Sequence, residues 1–328
     1  MAYIDKLIPN LERVGQTRWR DEKSGEVLAF EEVVEKYRDY FPPEFRIEWP
    51  IWFEQILEKV TIRFVRAQRL LLLNEESDNF RIHRLPDVDR RTEVSEAVEK
   101  YSTQLKYIIR QCLAESSAFS QSLDRTFPER LIDNYQKHKM IPLEKLLSRL
   151  GDVEKKRNFL INVGLYGPDK VDIQIPNVND EHIQSVLSVY VEDAENKLIV
   201  FDELASKIDL LVKLINARFK YKRIRINKED GFVFETDQGQ LPPEKLSSGE
   251  QHELVLIYEL LFKTKKETLV LIDEPELSLH IGWQINFLED LKQIIDLAGI
   301  YVILATHSPQ IINNRWDLTV KLGVEKND

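Results

Sequence analysis

Cysteine is nearly absent. Cys112 stands alone among 328 residues, so no disulfide can form within a chain, and nothing resembles a zinc-ligand cluster of cysteines and histidines. Long apolar runs are missing as well. None approaches the roughly 18 residues that a membrane span requires, and the opening MAYIDKLIPNLERVGQ lacks the charged-then-apolar layout of a signal peptide. A reducing, cytoplasmic setting without membrane contact is expected. Net positive charge is also absent: a formal charge of −10 opposes a broad phosphate-binding surface, because non-specific nucleic-acid affinity rests on many Lys and Arg contacts. Any nucleic-acid contact must then be local. The basic stretch FKYKRIRINK at 219–228 sets Tyr221, Arg223 and Arg225 against Lys222, Ile224 and Ile226, the alternation of one solvated strand face. Glycine is scarce, at 11 residues with none between Gly25 and Gly151, and no glycine is followed by lysine. That excludes a GxxxxGK[ST] loop, whose backbone N–H groups wrap phosphates while its lysine neutralises them.

What is present is a globular composition, 43% hydrophobic and 31% charged, long enough for one large or two ordinary domains. Three regions follow one another. Residues 1–85 read as mixed α/β: TRWRDEKSGEVLAF predicts two short strands around a Lys-Ser-Gly turn, FEEVVEKYRDY a helix ended by Pro42 and Pro43, and KVTIRFVRAQRL a strand through Val60, Ile62 and Phe64 leading to Gln68. Residues 86–218 are helical. Val94, Val98, Tyr101, Leu105, Ile108, Cys112 and, after a break at Glu115, Phe119 form one heptad-like seam, and Ile183, Leu187, Tyr190, Ala194 and, past Lys197, Phe201, Leu204, Ile208, Leu211 and Ile215 a second. Either an antiparallel coiled-coil arm or a compact helical lid satisfies this spacing.

Residues 219–328 alternate strand and helix: YKRIRI, GFVFET, a helix from Ser248, TLVLID, the helix GWQINFLEDLKQIIDLA, YVILAT and a last strand DLTVKL. Short apolar strands separated by helices predict a mostly parallel sheet, flanked by helices and buried on both faces. Ligands bind such sheets at the carboxyl ends of the strands.

Polar residues gather there. In TLVLIDEPELSLH, Asp273 and Glu274 emerge from an apolar strand, and two adjacent carboxylates call for a cation or a shared proton. Asp273 is a candidate Mg²⁺ ligand and Glu274 a candidate base for an attacking water. His307, at the end of YVILATHSPQ, is placed to donate a hydrogen bond to a terminal phosphate oxygen. In LSSGEQ, Ser247, Ser248 and Gly249 begin a helix, where free N–H groups and the helix dipole favour an anion; the same residues with Glu250 also spell an ordinary N-cap.

Taken in order, LSSGEQ, LVLIDEPELSLH and ATHSPQ resemble the C-terminal lobe of an ABC-type ATPase, and more narrowly the soluble SMC-like and OLD-like AAA ATPases that include RecF relatives. The resemblance implies a P-loop NTPase core, here incomplete, with a long helical insertion, and ATP with Mg²⁺ as cofactors. It places Ser247, Ser248, Gly249 and Glu250 in the signature motif that meets ATP held by an opposite subunit. Asp273 and Glu274 match the Walker B metal and base positions, Glu276 to His280, with Ser278 and His280, the D-loop, and His307 the switch histidine. Gln68 sits where a Q-loop is expected.

The P-loop lobe that completes such a site is absent from these 328 residues. Truncation is the favoured expectation, ahead of a partner that supplies the lobe or an abandoned site. The chain alone is then expected to bind Mg-ATP weakly and, with unpaired sheet edges, to be poorly soluble or to oligomerise. The complete protein is expected to close as a homodimer around ATP, in DNA transactions or anti-phage defence. No room is expected after the last strand for a fused nuclease, so any nuclease or effector is expected to be a separate partner. The rival reading is a non-catalytic helical scaffold.

Overall fold

The computed structural model describes residues 8, 11–14, 18–22, 24–29, 32–33, 36–37, 40, 60–66, 90–137, 141–167, 181–277 and 279–320. Gln68 and Ser278 lie outside them, as does Val94 at the level of its side chain. The chain divides into two compact units, Met1–Thr61 and Ile62–Asp328.

The first unit is an antiparallel meander of β1 (Leu11–Arg13), β2 (Arg18–Asp21) and β3 (Val27–Ala29). Alternation along RWRD sends Trp19 and Asp21 inward, and Trp19 pairs in register with Leu28. Trp19 packs with Ile8, Leu11, Leu28 and Val33 in a small core. The β2–β3 turn closes where the sequence predicts, with Asp21 donating to the Glu26 carbonyl at 2.9 Å and Gly25 at positive φ. Buried Asp21 accepts a hydrogen bond from Lys36 Nζ at 3.0 Å.

The second unit holds two sheets. Strands β4 (Ile62–Arg66), β8 (Leu269–Asp273) and β9 (Tyr301–Ala305) form a parallel sheet in the order β4-β8-β9. Strands β5 (Arg223–Asn227), β6 (Gly231–Thr236) and β7 (Gly239–Leu241) form a separate antiparallel meander. YKRIRI and GFVFET are therefore a hairpin rather than members of the parallel sheet. In β5, Ile224 and Ile226 are buried while Arg225 pairs with Glu235 at 2.5 Å, the solvated-face pattern expected of this stretch.

The expectation of a sheet buried on both faces is corrected. Val65, Val270 and Ile272 lie in the main core, but the opposite face carries Phe64 at 46%, Tyr301 at 64% and Ile303 at 58% exposure. Helices cover one side only among the described residues, although the strands are apolar on both.

The helical region starts with α1 (Arg90–Gln136), 47 residues and about 70 Å at 1.5 Å per residue. Its lack of glycine permits that length. Helices α2 (Leu143–Asn162), α3 (Glu181–Ile199) and α4 (Asp202–Arg218) follow. The contacts Asn134–Ser185, Asp124–Lys197 and Cys112–Val200 run in opposite senses along the chain, so α1 and α3 are antiparallel. Helix α2 packs on α3, through the Arg149–Glu195 pair among others, and the region is a three-helix assembly rather than a two-stranded coiled coil. The second seam is interrupted between Ile199 and Asp202, where buried Phe201 turns the chain into the core.

Helix α5 (Ser248–Tyr258) begins with polar residues, of which Glu250, Gln251 and Glu253 are buried, and continues in a buried apolar run, Leu254–Tyr258; a π-helical turn, Glu259–Lys263, extends it. The helix expected over GWQINFLEDLKQIIDLA is two helices, α6 (Ile281–Gln284) and α7 (Phe287–Ala298), the latter ended by Gly299 in the left-handed conformation. A short α8 (Pro309–Ile312) follows β9. The expected last strand DLTVKL is corrected over its described part: Trp316–Leu318 is a 3-10 turn, with Leu318 donating to Arg315.

One core joins α1, α4, α5, α7 and both sheets, and Leu105, Ile109, Ile208, Leu211, Leu254 and Leu261 are fully buried in it. Each such side chain contributes about 1.5–3 kcal/mol by burial. Gly231 shows how tightly α1 meets the meander. A Cβ there would lie 2.4 Å from Ser102 Oγ, and that hydroxyl accepts from Phe232 N–H at 2.8 Å and donates to the Asp230 carbonyl at 3.1 Å.

Candidate functional site

Parallel pairing sets the site. Asp273 of β8 lies in register with Ala305 of β9 and Arg66 of β4, so the carboxyl ends of three strands are level. Past the strand, Glu274 takes φ +47°, and its N–H donates to the Ala305 carbonyl at 2.9 Å. A left-handed conformation is uncommon for a residue other than glycine. Here it turns the chain into the short helix Pro275–Leu277 and separates the directions of Asp273 and Glu274.

Glu276 then reaches to the neighbouring strand end. Its Oε2 accepts from Thr306 Oγ1 at 2.8 Å and its Oε1 from the His307 N–H at 2.8 Å. The DEPEL and ATHS segments are thereby joined through one carboxylate. His307 projects its imidazole into solvent at 91% side-chain exposure, with Nε2 4.0 Å from Glu274 Oε1. Behind it, Ser308 Oγ donates to Gln284 Oε1 at 2.8 Å, and Gln284 Nε2 donates to the Glu276 and Leu279 carbonyls.

The site is open and acidic. Asp273 is exposed, and its carboxylate has no hydrogen-bond or ion-pair partner among the described residues. No group of three or more His, Cys, Asp or Glu side chains that could hold a metal forms among the described residues. An exposed carboxylate beside a second one still fits Mg²⁺, which is held by one or two carboxylates together with water and substrate phosphates.

The Ser247–Glu250 turn is a capping box. Ser247 Oγ accepts from Glu250 N–H at 3.3 Å, and Glu250 Oε2 accepts from Ser247 N–H at 2.7 Å. Lys222 Nζ donates to the same carboxylate oxygen at 2.7 Å. Glu250 is thus buried and spent on the turn, whereas Ser247 and Ser248 face solvent. The N-cap reading of LSSGEQ is the one the structure shows, with the remaining first-turn N–H groups at a helix N-terminus. His280 caps α6 in turn, its Nδ1 accepting from Gly282 N–H at 3.2 Å.

Three further contacts escape sequence reasoning because their partners are far apart in the chain. Arg218, at the end of α4, is buried against Glu253 of α5 and Asp290 of α7. Burial pushes its pKa below the usual guanidinium range, partly offset by Asp290. Glu259, in the π-helical turn, accepts from Tyr101 of α1 and pairs with Arg63 of β4 at 3.2 Å. Tyr258 stacks between Tyr101 and Phe262, its hydroxyl buried with no hydrogen-bond partner among the described residues and its pKa raised by that burial. Glu276 itself had a local signal, a carboxylate three residues after Asp273, but nothing local names its partners.

Residues 78–313 match the protein family described as "AAA domain, putative AbiEii toxin, Type IV TA system". Among curated proteins, the chain is 32% identical to Protein ea59 of Escherichia phage lambda over 108 residues, 31% of this chain and 21% of that protein. It is 30% identical to UvrABC system protein A of Clostridium perfringens (strain 13 / Type A) over 148 residues, 45% of this chain and 14% of that protein. The matches thus span about a fifth or less of these relatives. Among solved structures, the Smc head domain with an extended coiled coil, bound to the C-terminal domain of ScpA and derived from Pyrococcus furiosus, aligns over 90% of this chain and 65% of its own. Its identity is 13% and its TM-score 0.28.

Proposed function

The chain belongs to this AAA-domain family of P-loop, ABC-type ATPases, and on that premise we propose that it supplies the metal, base and signature residues of an SMC-like or OLD-like ATPase. One observation supports this most: Glu276 ties the Asp273–Glu274 turn to the Thr306–His307 turn, so two motifs some thirty residues apart present their polar groups together.

In this reading Asp273 would hold Mg²⁺, which when bound would neutralise charge on the terminal phosphates. Glu274, turned away by its left-handed backbone, accepts the proton of the attacking water. His307 donates to a terminal phosphate oxygen, its backbone held by Glu276. Ser247, Ser248 and Gly249 offer a hydroxyl and first-turn N–H groups to ATP bound by a second subunit, while Glu250 and Lys222 hold that turn. By sequence, Ser278, outside the described residues, and His280 are assigned in the same reading to the loop that would meet the second subunit.

The remaining phosphate contacts require a GxxxxGK[ST] loop from outside these 328 residues. The chain by itself is therefore expected to bind Mg-ATP weakly and to turn over none. In the assembled protein, closure of a homodimer around ATP moves the helical region, in a DNA transaction or in defence against phage. The toxin description of the family lends some support to the second setting.

The test is Glu274→Gln in an assembly completed with a GxxxxGK[ST] segment. Hydrolysis is expected to fall about 100-fold or more, the span of a lost general base, with ATP-bound dimers accumulating on size exclusion. Unchanged hydrolysis, or none in either protein, would leave the scaffold reading in its place.

A further inference from the structure

We propose that Gln284 is a positioning residue of this site: its buried amide closes a ring of hydrogen bonds that fixes the backbone on either side of His307. The ring runs through four residues. Gln284 Nε2 donates to the Glu276 carbonyl at 3.3 Å, and Gln284 Oε1 accepts from Ser308 Oγ at 2.8 Å. Ser308 N–H donates to Thr306 Oγ1 at 3.0 Å, and Thr306 Oγ1 donates to Glu276 Oε2 at 2.8 Å, which returns to the first residue. Each donor hydrogen is used once, so the four bonds coexist. His307 lies within this tie, its two chain neighbours being members and its own N–H held by Glu276 Oε1. Only its imidazole stands outside.

The plainer role of a buried amide is to satisfy the loop carbonyls it meets, those of Glu276 and Leu279. Two observations carry the inference past that. The Oε1 end of Gln284 turns away from the loop to Ser308, and both side chains are buried, where water competes little for the bond. An imidazole as exposed as that of His307 is aimed by its backbone rather than by packing, so whatever fixes the backbone fixes the ring. Gln310 Oε1, 3.0 Å from the same Ser308 hydroxyl, is the rival acceptor. Because Gln284 also holds the Leu279 carbonyl at 3.2 Å, the segment before His280 and the turn at His307 are tied through one side chain. The hydrogen-bonded ring stands on geometry; its bearing on a terminal phosphate rests on the ATP reading above.

Amide hydrogen exchange of the full chain, read by NMR, tests this. Gln284→Met keeps the side-chain length and loses the amide. It is expected to speed exchange at positions 307 and 308 about tenfold or more, the scale of one lost buried hydrogen bond, and Ser308→Ala is expected to do the same. The double variant should exceed neither single, since a ring opens only once. Continued protection of Leu291 and Ile294 in α7 shows that the variants fold, and Gln310→Ala is expected to change neither amide. A rise confined to Leu279 and His280, single effects that multiply, a Gln310→Ala effect equal to that of Gln284→Met, or unprotected amides at 307 and 308 in the parent chain would each overturn the proposal. In the assembly used for Glu274→Gln, Gln284→Met is expected to lower kcat about tenfold or more with KM unchanged; an unchanged kcat there overturns it as well. The two readings fail separately. The expected exchange pattern without Glu274-dependent hydrolysis removes the ATPase and keeps the ring, whereas Glu274-dependent hydrolysis with unaltered exchange at 307 and 308 does the reverse.

Discussion

The two ends of α1 are held by different physics. At its root, Val98, Tyr101, Leu105 and Ile109 are at most 5% exposed and sink into the core shared with α5 and the sheets. Farther along, the helix is joined to α3 by polar contacts: Arg130 with Asp193, Lys197 with Asp124 at 2.8 Å, and Ser185 with Asn134 at 3.1 Å. Even the aromatic contact there, Tyr135 stacked on His182 at 5.2 Å, leaves Tyr135 48% exposed. Apolar burial is strong and tolerant of small shifts, whereas charge pairs are weaker but specify register. The contrast is one of degree, since the far half also carries the half-buried Leu123, Phe127 and Leu131, but only the root is fully buried.

Breaking the root is expected to have the largest effect. Leu105→Ala should lower the global unfolding free energy by about 2–5 kcal/mol, read as a drop in the denaturation midpoint that is shared by α1, α5 and the sheets. A drop confined to α1 would show that the root is not part of the common core. Asp193→Asn attacks the other end. It removes the charge of a 7%-exposed carboxylate facing Arg130, which is itself 31% exposed, so the effect should be near the lower end of the charged-bond range, about 1–2 kcal/mol. Amide hydrogen exchange should rise in α3 and in the second half of α1 while Leu105 and its neighbours keep their protection.

Acid should sharpen the comparison with the smallest change. Burial lowers the pKa of His252 in α5, against a weaker opposing hydrogen bond to the Ser248 backbone. The hydrogen bond from Arg149 lowers that of Glu195 in α3. Both folded values lie below the unfolded ones, so each group's contribution is complete above its unfolded pKa and is lost as pH falls through the folded one. For His252 the loss begins below about pH 6.5, and for Glu195 below about pH 4.5. Between those limits His252→Gln should flatten the pH dependence of global stability, and Glu195→Gln should not.

Much of this was legible locally. The Ser247–Glu250 capping box follows from the S-x-x-E spacing, the β2–β3 turn from Lys-Ser-Gly, and β4, β8 and β9 from short apolar runs ending in polar residues. The juxtaposition of the strand ends was legible for a reason: in a parallel sheet every strand ends on the same side, so the residues after Asp273 and after Ala305 come together once β8 and β9 pair. Other features were not. Periodicity cannot tell an apolar strand face that is covered from one that is open, which is why the two-sided burial of the sheet was wrongly expected. The seam from Ile183 to Ile215 reads as interrupted at Lys197, but the pattern does not show that the chain leaves the helix at Phe201, because that position is itself apolar and buried. Nor does the pattern separate the β5–β6 hairpin from the parallel strands, since their composition is the same.

By itself the amino-acid order determined the elements that depend on near neighbours: helix starts, turns, strand alternation, and the absence of any lysine after a glycine. Tertiary structure alone decided what depends on groups distant in the chain. It gave Glu276 to Thr306 and His307, buried Arg218 between Glu253 and Asp290, and left Tyr301 and Ile303 of the parallel sheet more than half exposed. The physical reason is common to all three: hydrogen bonding and burial act over a few ångströms of space, and chain separation says little about which groups will come that close.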